Sequence, residues 1–279
     1  MNLCDAHNHL QDAWLTPHRD QVFRDLAGVG VRAAVVNGTS ETDWEEVTAL
    51  AAAYPVVRSS YGLHPWDAGN RTSNWQALLI SQLDANPNAG VGEIGLDRWI
   101  LDRAKPDDPR LTGLRRAPLD EQLEVFLWQL DLAVAGNRPA SIHCLDAHGA
   151  LLDALAKARR PEQGFLLHAY NGSVELMQRF VKLGAYFSFN GSFLDPRKER
   201  LRAVYTAIPV ERLLVETDAP AMRTPATLEE FPPLATPEGP IANHPANLRA
   251  TYLGLAAWRG MEVDQLATQV EANFRRLFG

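Results

Sequence analysis

Asn2-Leu3-Cys4-Asp5-Ala6-His7-Asn8-His9 opens the chain, and its reading decides the fold. The apolar start of this stretch predicts a first strand over Asn2–Ala6, covered on both faces. Residues two apart on such a strand point to the same side, so His7 and His9 can reach one metal ion from a single backbone segment. A lone His-x-His pair is common on protein surfaces. Its place directly behind a buried strand gives this one weight.

Further along, short runs of similar character recur at Val31–Val36, Val56–Tyr61, Ala89–Ile94, Pro139–Ile142, Gly164–Leu167, Ala185–Phe189 and Arg212–Glu216. Helical spacing of apolar residues fills the intervals. Val22, Phe23 and Leu26 share a face, as do Trp44, Val47 and Leu50, and Trp75, Leu78 and Leu79. Leu119, Leu123, Phe126, Leu127, Leu130 and Val134 keep the spacing over four turns, and Gly136 supplies a stop. Thr16 before Pro17 reads as a helix cap and first turn. A last helix is expected over Val263–Leu277. Eight strands with helices between them predict an α/β fold, a (β/α)8 TIM barrel of the metal-dependent hydrolase type, as a single domain over 1–279. A doubly wound sheet is the weaker competitor. No Gly-x-Gly-x-x-Gly follows the first strand, which removes a dinucleotide site.

The bulk properties agree. The chain has 279 residues, 46% hydrophobic and 22% charged, an ordinary globular mixture. A net charge of −7 opposes a general nucleic-acid coat, which is normally basic, yet leaves room for a local site where bound metals add positive charge. The two cysteines, Cys4 and Cys144, make no disulfide framework. With no signal segment and no apolar run of membrane length, a cytoplasmic protein without membrane attachment is expected.

The barrel reading brings other residues to the same mouth as His7 and His9. Glu93 closes the fourth strand, His143 follows the fifth, His168 ends the sixth, and Asp218 follows the eighth. Each has an ordinary structural reading. Glu93 could be an ion-pair partner, His143 and His168 hydrogen-bonded interior histidines, and Asp218 a cap. Those readings give no reason for all of them to stand at successive strand ends. Nitrogen and oxygen ligands together suit borderline or hard divalent ions: Zn, Ni, Co or Fe through the histidines, with Mn or Mg also permitted by the carboxylates.

Ordered motifs now add up across nearly the whole chain. They are Asp5-Ala6-His7-Asn8-His9, Gly62-Leu63-His64-Pro65, Gly92-Glu93-Ile94-Gly95-Leu96-Asp97, Ile142-His143-Cys144, Leu167-His168-Ala169-Tyr170-Asn171-Gly172-Ser173, Ser188-Phe189-Asn190-Gly191 and Glu216-Thr217-Asp218-Ala219-Pro220. With these, the chain resembles the TatD-type metal-dependent hydrolases (TatD DNases) within the amidohydrolase-like barrels. The resemblance implies two divalent metal ions, one held by His7, His9 and Asp218, the other by His143 and His168, with Glu93 bridging. It implies that Asp218 also handles the proton of the attacking water, and that His64 contacts substrate. Among the basic residues after the fourth strand, Arg98 stands nearest the Glu93 motif and is the first choice to bind an anionic substrate, with Arg103 and Arg110 behind it.

The implied function is phosphodiesterase or deoxyribonuclease activity on DNA or a small phosphodiester. Hydrolysis of a small amide, ester or lactone is the alternative, since the same cage can attack a carbonyl. Two departures from the family pattern bear on substrate. Leu145 stands where a base often follows the strand-five histidine, and Asn243-His244-Pro245 replaces Asn-Glu-Pro. Two segments are long for βα loops: Arg98–Pro118, with six Arg or Lys against three Asp, and Ala219–Asn247, with seven prolines. Both are candidates to shape the substrate site. Trp66, Trp99 and Tyr170 lie near these loops and are able to stack on bases.

Overall fold

Apolar runs rich in branched and aromatic side chains form eight largely buried strands, in which Arg32 of the second and Arg58 of the third are exposed. The strands are β1 Leu3–Asn8, β2 Val31–Asn37, β3 Val57–Tyr61, β4 Gly90–Asp97, β5 Ala140–Leu145, β6 Phe165–Leu167, β7 Ala185–Asn190 and β8 Leu213–Glu216. Every residue of β1, β4, β6, β7 and β8 is buried. The computed structural model describes residues 1–236 and 241–279. Each strand pairs in parallel with the next, in the order β1 to β8. The last lies against the first. The seam is held by side chains as well as backbone. The Asp5 carboxylate accepts from the Thr217 N–H at 3.0 Å and the Thr217 hydroxyl at 2.6 Å, and the Asp218 N–H donates to the His7 carbonyl at 3.0 Å. This is the expected eight-stranded barrel, with its helices outside.

Those helices are α1 Arg19–Val29, α2 Trp44–Ala53, α3 Trp75–Ala85, α4 Trp99–Asp102, α5 Leu119–Ala135, α6 His148–Lys157, α7 Val174–Lys182, α8 Arg200–Ala207, α9 Leu248–Arg259 and α10 Val263–Phe278. A small hairpin, β9 Leu234–Ala235 with β10 Ile241–Ala242, sits in the long segment after β8. The part of that segment at 237–240 lies outside the described residues.

Three expectations need correction. Thr16 does not cap α1. Asp12 instead accepts from the Trp14 N–H at 2.8 Å and starts a 3-10 turn over Ala13–His18, with Pro17 inside it and α1 beginning at Arg19. Leu78 is 42% exposed, because the buried stripe of α3 is Trp75, Leu79 and Leu83, an i, i+4 line that leaves position 78 to one side. Finally, β1, β4 and β5 run two or three residues further than their apolar cores suggest, so His7 and His143 lie within strands. The polar residues stay in the ladder because the neighbouring strand continues beside them: Gly95 pairs with His143 and Asp97 with Leu145.

Helix α5 carries the mouth of the barrel through two buried glutamines that an apolar pattern does not reveal. Gln129 accepts from the Leu63 N–H at 2.7 Å and donates to the Leu63 carbonyl at 3.1 Å. Gln122 accepts from the Asp97 N–H at 2.8 Å and donates to the Asp97 carbonyl at 3.0 Å. They pin the residue before His64 and the last residue of β4. Replacing Gln129 with Leu strands a buried N–H and a buried carbonyl, so urea unfolding is expected to show a loss of about 1–3 kcal/mol. Leu78→Gln, at an exposed position, should stay within about 0.5 kcal/mol. Equal effects of the two changes would refute this role for Gln129.

Candidate metal centre

Glu93 is 2% exposed. A carboxylate that deep survives only among positive or hydrogen-bonding partners, and it has both. Its Oε2 lies 3.3 Å from His7 Nε2 and 3.2 Å from His9 Nε2. Its Oε1 lies 2.9 Å from His143 Nδ1, 2.9 Å from His168 Nε2 and 3.4 Å from His64 Nε2. Asp218 Oδ1 faces the first group, 3.7 Å from His7 Nε2 and 3.4 Å from His9 Nε2. Thus the structure brings together His7, His9, His64, Glu93, His143, His168 and Asp218, with the two oxygens of one carboxylate turned toward two different sets. Glycines make this closeness possible. A Cβ on Gly62 would stand 2.6 Å from the Glu93 carbonyl oxygen, and one on Gly95 (φ +148°) only 2.0 Å from the His143 carbonyl oxygen.

The second nitrogen of each ring decides what the first can do. His9 Nδ1 lies 2.8 Å from the Asn37 carbonyl, an acceptor, so Nδ1 carries the proton and Nε2 offers a lone pair. His143 Nε2 lies 3.1 Å from the Asp97 carboxylate, so Nδ1 is the free electron pair. His168 turns Nδ1 toward Glu216 and Nε2 toward Glu93. Glu216 is itself held by Ser188, by Asn190 and by the Ala169 N–H. His7 leans on the Ser141 hydroxyl at 2.9 Å, while its buried Nε2 has no hydrogen-bond partner. His64 is different. Its Nδ1 accepts the Trp66 N–H at 3.2 Å, so the neutral ring carries its proton on Nε2 and is a donor rather than a ligand.

Burial alone would raise the Glu93 carboxyl. The surrounding imidazoles, His168 first, and the hydrogen bond from His143 outweigh it and hold the group well below the usual range. Burial opposes the charged forms of His9 and His168 too, but Asp218 and Glu93 lift the first, and Glu93 and Glu216 the second, well above the ordinary value. Asp97 and Glu93 lift His143 to about 9. Burial prevails at His7 and His64, which shift down. Asp218 shifts down, because the bond to His9 and the charge of His168 overcome its burial.

These residues fit a divalent cation. His7, His9 and Asp218 bring three ligand atoms within 4.8 Å of one another, as do His7, Glu93 and His168. The orphaned His7 Nε2 is common to both triples and points where a cation would satisfy it. His64, Glu93 and His143 form a third such triple, but the tautomer of His64 removes it as a ligand.

A cleft of about 940 Å³ opens over this cluster. Arg98 is not brought to it. That side chain is exposed and pairs with Asp102 at 3.0 Å. Arg103 likewise turns away to Asp146. Arg110 reaches the cleft instead, together with Leu114 from the same segment. Lys198 and Arg200 line the cleft as well, and the sequence motifs give neither a role. Asp97 and Glu216 were also passed over, although both sit inside quoted motifs. Their signal is a carboxylate four residues after Glu93 in one case and two residues before Asp218 in the other. Leu145 does line the cleft. His244 lies outside it, capping a turn and meeting Asp25 at 3.3 Å.

A family model described as TatD related DNase matches residues 4–279. The chain belongs to the TatD family. Among TatD relatives, a protein of Escherichia coli (strain K12) named 3'-5' ssDNA/RNA exonuclease TatD is 32% identical over 97% of this chain and 96% of its own. One of the same name from Escherichia fergusonii is 31% identical over the same shares. A solved TatD homologue from Escherichia coli K12 superposes with a TM-score of 0.83 at 26% identity, covering 99% of this chain and 97% of that one. A TatD family hydrolase from Entamoeba histolytica shares the fold, with a TM-score of 0.82, at 16% identity over 100% and 98%. With a histidine and carboxylate cluster able to hold a metal, the chain is a metal-dependent hydrolase of this family.

Cations and protons compete for the same nitrogens. Because His9, His143 and His168 hold protons above their ordinary range, binding of Zn²⁺ or Mn²⁺ near pH 7 must release protons, and affinity must fall as pH drops. Calorimetry in two buffers of different ionisation enthalpy should show that release. Buffer-independent heats would contradict it.

Proposed function

We propose that this protein is a phosphodiesterase, in its concrete form a deoxyribonuclease acting on single-stranded DNA, built on two divalent ions. His7, His9 and Asp218 would hold one ion, His143 and His168 the other, and Glu93 would bridge them through its two oxygens. When bound, such ions supply Lewis acidity and acidify water at the site. The protein does the rest. Asp218, kept deprotonated by His9 and His168, accepts a proton from attacking water at its carboxylate. His64 donates from Nε2 to charge developing on a phosphoryl oxygen. Asp97 holds His143 in its orientation through a hydrogen bond, and the Glu216 carboxylate faces His168 Nδ1 at 3.7 Å. The free thiols of Cys4 and Cys144 support a reducing, cytoplasmic setting. No helix among the described residues is long and apolar enough to cross a membrane.

One observation carries phosphodiester over carbonyl chemistry. Lys198 and Arg200 line the cleft, and among the described residues neither is paired with a carboxylate: Lys198 donates to the Ser192 hydroxyl at 3.0 Å and Arg200 to the Asn171 carbonyl at 3.1 Å. A neutral amide or lactone offers these cations no negative charge to pair with, whereas phosphate does. The names of the E. coli and E. fergusonii relatives agree with this reading. Leu114, Leu145, Phe193 and Met222 in the same cleft keep small-carbonyl hydrolysis as the second reading.

The direct test is turnover of 5′-labelled single-stranded DNA, bis(p-nitrophenyl) phosphate and a panel of amides, esters and lactones, with Mg²⁺, Mn²⁺ or Zn²⁺ supplied. DNA and the model diester should be cleaved, and Glu93→Gln should lower kcat by roughly 10²–10³-fold. Lactone or amide turnover without diester cleavage would give the site to the second reading. Lys198→Ala combined with Arg200→Ala should raise KM for DNA and flatten its salt dependence by about two phosphate contacts. An unchanged salt slope would remove these residues from substrate binding.

A further inference from the structure

Three aromatic residues near the cleft are candidates to meet a base, and the structure separates them. Tyr170 is 1% exposed and spends its hydroxyl on the Ser173 carbonyl at 2.9 Å, so it packs the core. Trp66 forms part of the cleft wall. Its indole cannot swing freely. Nε1–H donates to Asp97 Oδ2 at 2.6 Å, the His64 ring meets it edge-on at 5.8 Å, and Trp99 lies nearly parallel to it at 6.0 Å between centroids. Arg110 leans over both rings, its guanidinium carbon 4.6 Å from the Trp99 centroid and 5.9 Å from that of Trp66. Asp108 grips the other side of the same guanidinium through two bonds of 2.9 and 2.7 Å. The acceptor of the Trp66 N–H is the carboxylate that orients His143, so this aromatic wall is one hydrogen-bonded residue away from the cluster.

Resting on the phosphodiester reading above, we infer that Trp66, backed by Trp99 and rimmed by Arg110, is a nucleobase-stacking subsite that seats the terminal base of a single-stranded substrate beside the metal centre. A flat, preordered indole and a planar cation suit a base, whose π-face stacks whatever its identity. Lys198 and Arg200 line the same cleft and offer the cations that the backbone phosphates of that strand would need. The subsite therefore selects for a nucleotide over a bare phosphodiester while remaining indifferent to sequence. The bases of the Arg98–Pro118 segment gain a function by this account. Arg98 and Arg116 hold the segment itself in shape, the first by pairing with Asp102 and the second by donating to the carbonyls of Ile100 and Ala104, and Arg110 stands over the indoles.

The test separates stacking from turnover. Fluorescein-labelled trithymidylate, labelled at its 5′ end, and the same oligomer with an abasic 3′ residue are titrated with the full chain in EDTA, and anisotropy gives both affinities. The oligomer carrying the base should bind about tenfold more tightly, the effect of one base–aromatic stack. Trp66→Ala should erase that difference, and Trp66→Phe, which keeps a ring, should recover part of it. Equal affinities in the wild type, including no measurable binding of either oligomer, overturn the inference whether or not the variants fold. So does a base preference that persists in Trp66→Ala. A preference for the base alongside no Mg²⁺- or Mn²⁺-supported cleavage of either oligomer would sustain the stacking site and remove the nuclease reading instead.

Discussion

A fully buried carboxylate surrounded by five imidazoles is the constraint around which this barrel is arranged. Glu93 in water would be hydrated and inert. At 2% exposure it needs charge on both of its oxygens. The barrel supplies that charge from four directions because parallel strands deliver their ends to one mouth. Each supporting feature follows from the need to hold rings close without collapse: glycines at 62 and 95, glutamines that pin Leu63 and Asp97, carboxylates behind His143 and His168. Two of the rings, His7 and His9, also face Asp218, whose N–H closes the barrel seam on the His7 carbonyl. Closing the fold and completing the site are therefore one event.

The mouth also sorts its histidines. Five rings lie near the same carboxylate, and distance alone would make all of them ligands. The partner on the far nitrogen separates them. A carbonyl or carboxylate behind His9 and His143 leaves a lone pair facing inward, while an amide N–H behind His64 leaves a proton there. The same cluster thus turns inward both nitrogen lone pairs that suit a cation and one N–H able to donate, set by atoms on the far side of each ring.

How much of this was legible in the sequence depended on whether a residue's direction is local. Strand alternation and a place directly behind the first strand marked His7 and His9 as candidates, and positions at strand ends together with the family resemblance marked Glu93, His143, His168 and Asp218. Gln122 and Gln129 were hidden because a polar residue on a helix normally faces water, and only the backbone groups they meet explain their burial. Arg98 was favoured over Arg110 because nearness along the chain stood in for nearness in space. The loop folds back on itself, Arg98 pairs with Asp102 within the next turn, and Arg110, twelve positions later, reaches the cleft. Lys198 and Arg200 carried no signal at all, since a base at the entry to a helix looks the same in sequence with or without a substrate to meet.

In the proposed arrangement one buried carboxylate divides its oxygens between two cations. Anomalous diffraction from crystals soaked in Mn²⁺ or Zn²⁺ tests it most directly. The account requires two peaks on either side of Glu93, about 3.5–4 Å apart, the first against His7, His9 and Asp218 and the second against His143 and His168. A single peak, or peaks that leave Glu93 uncoordinated, would contradict it.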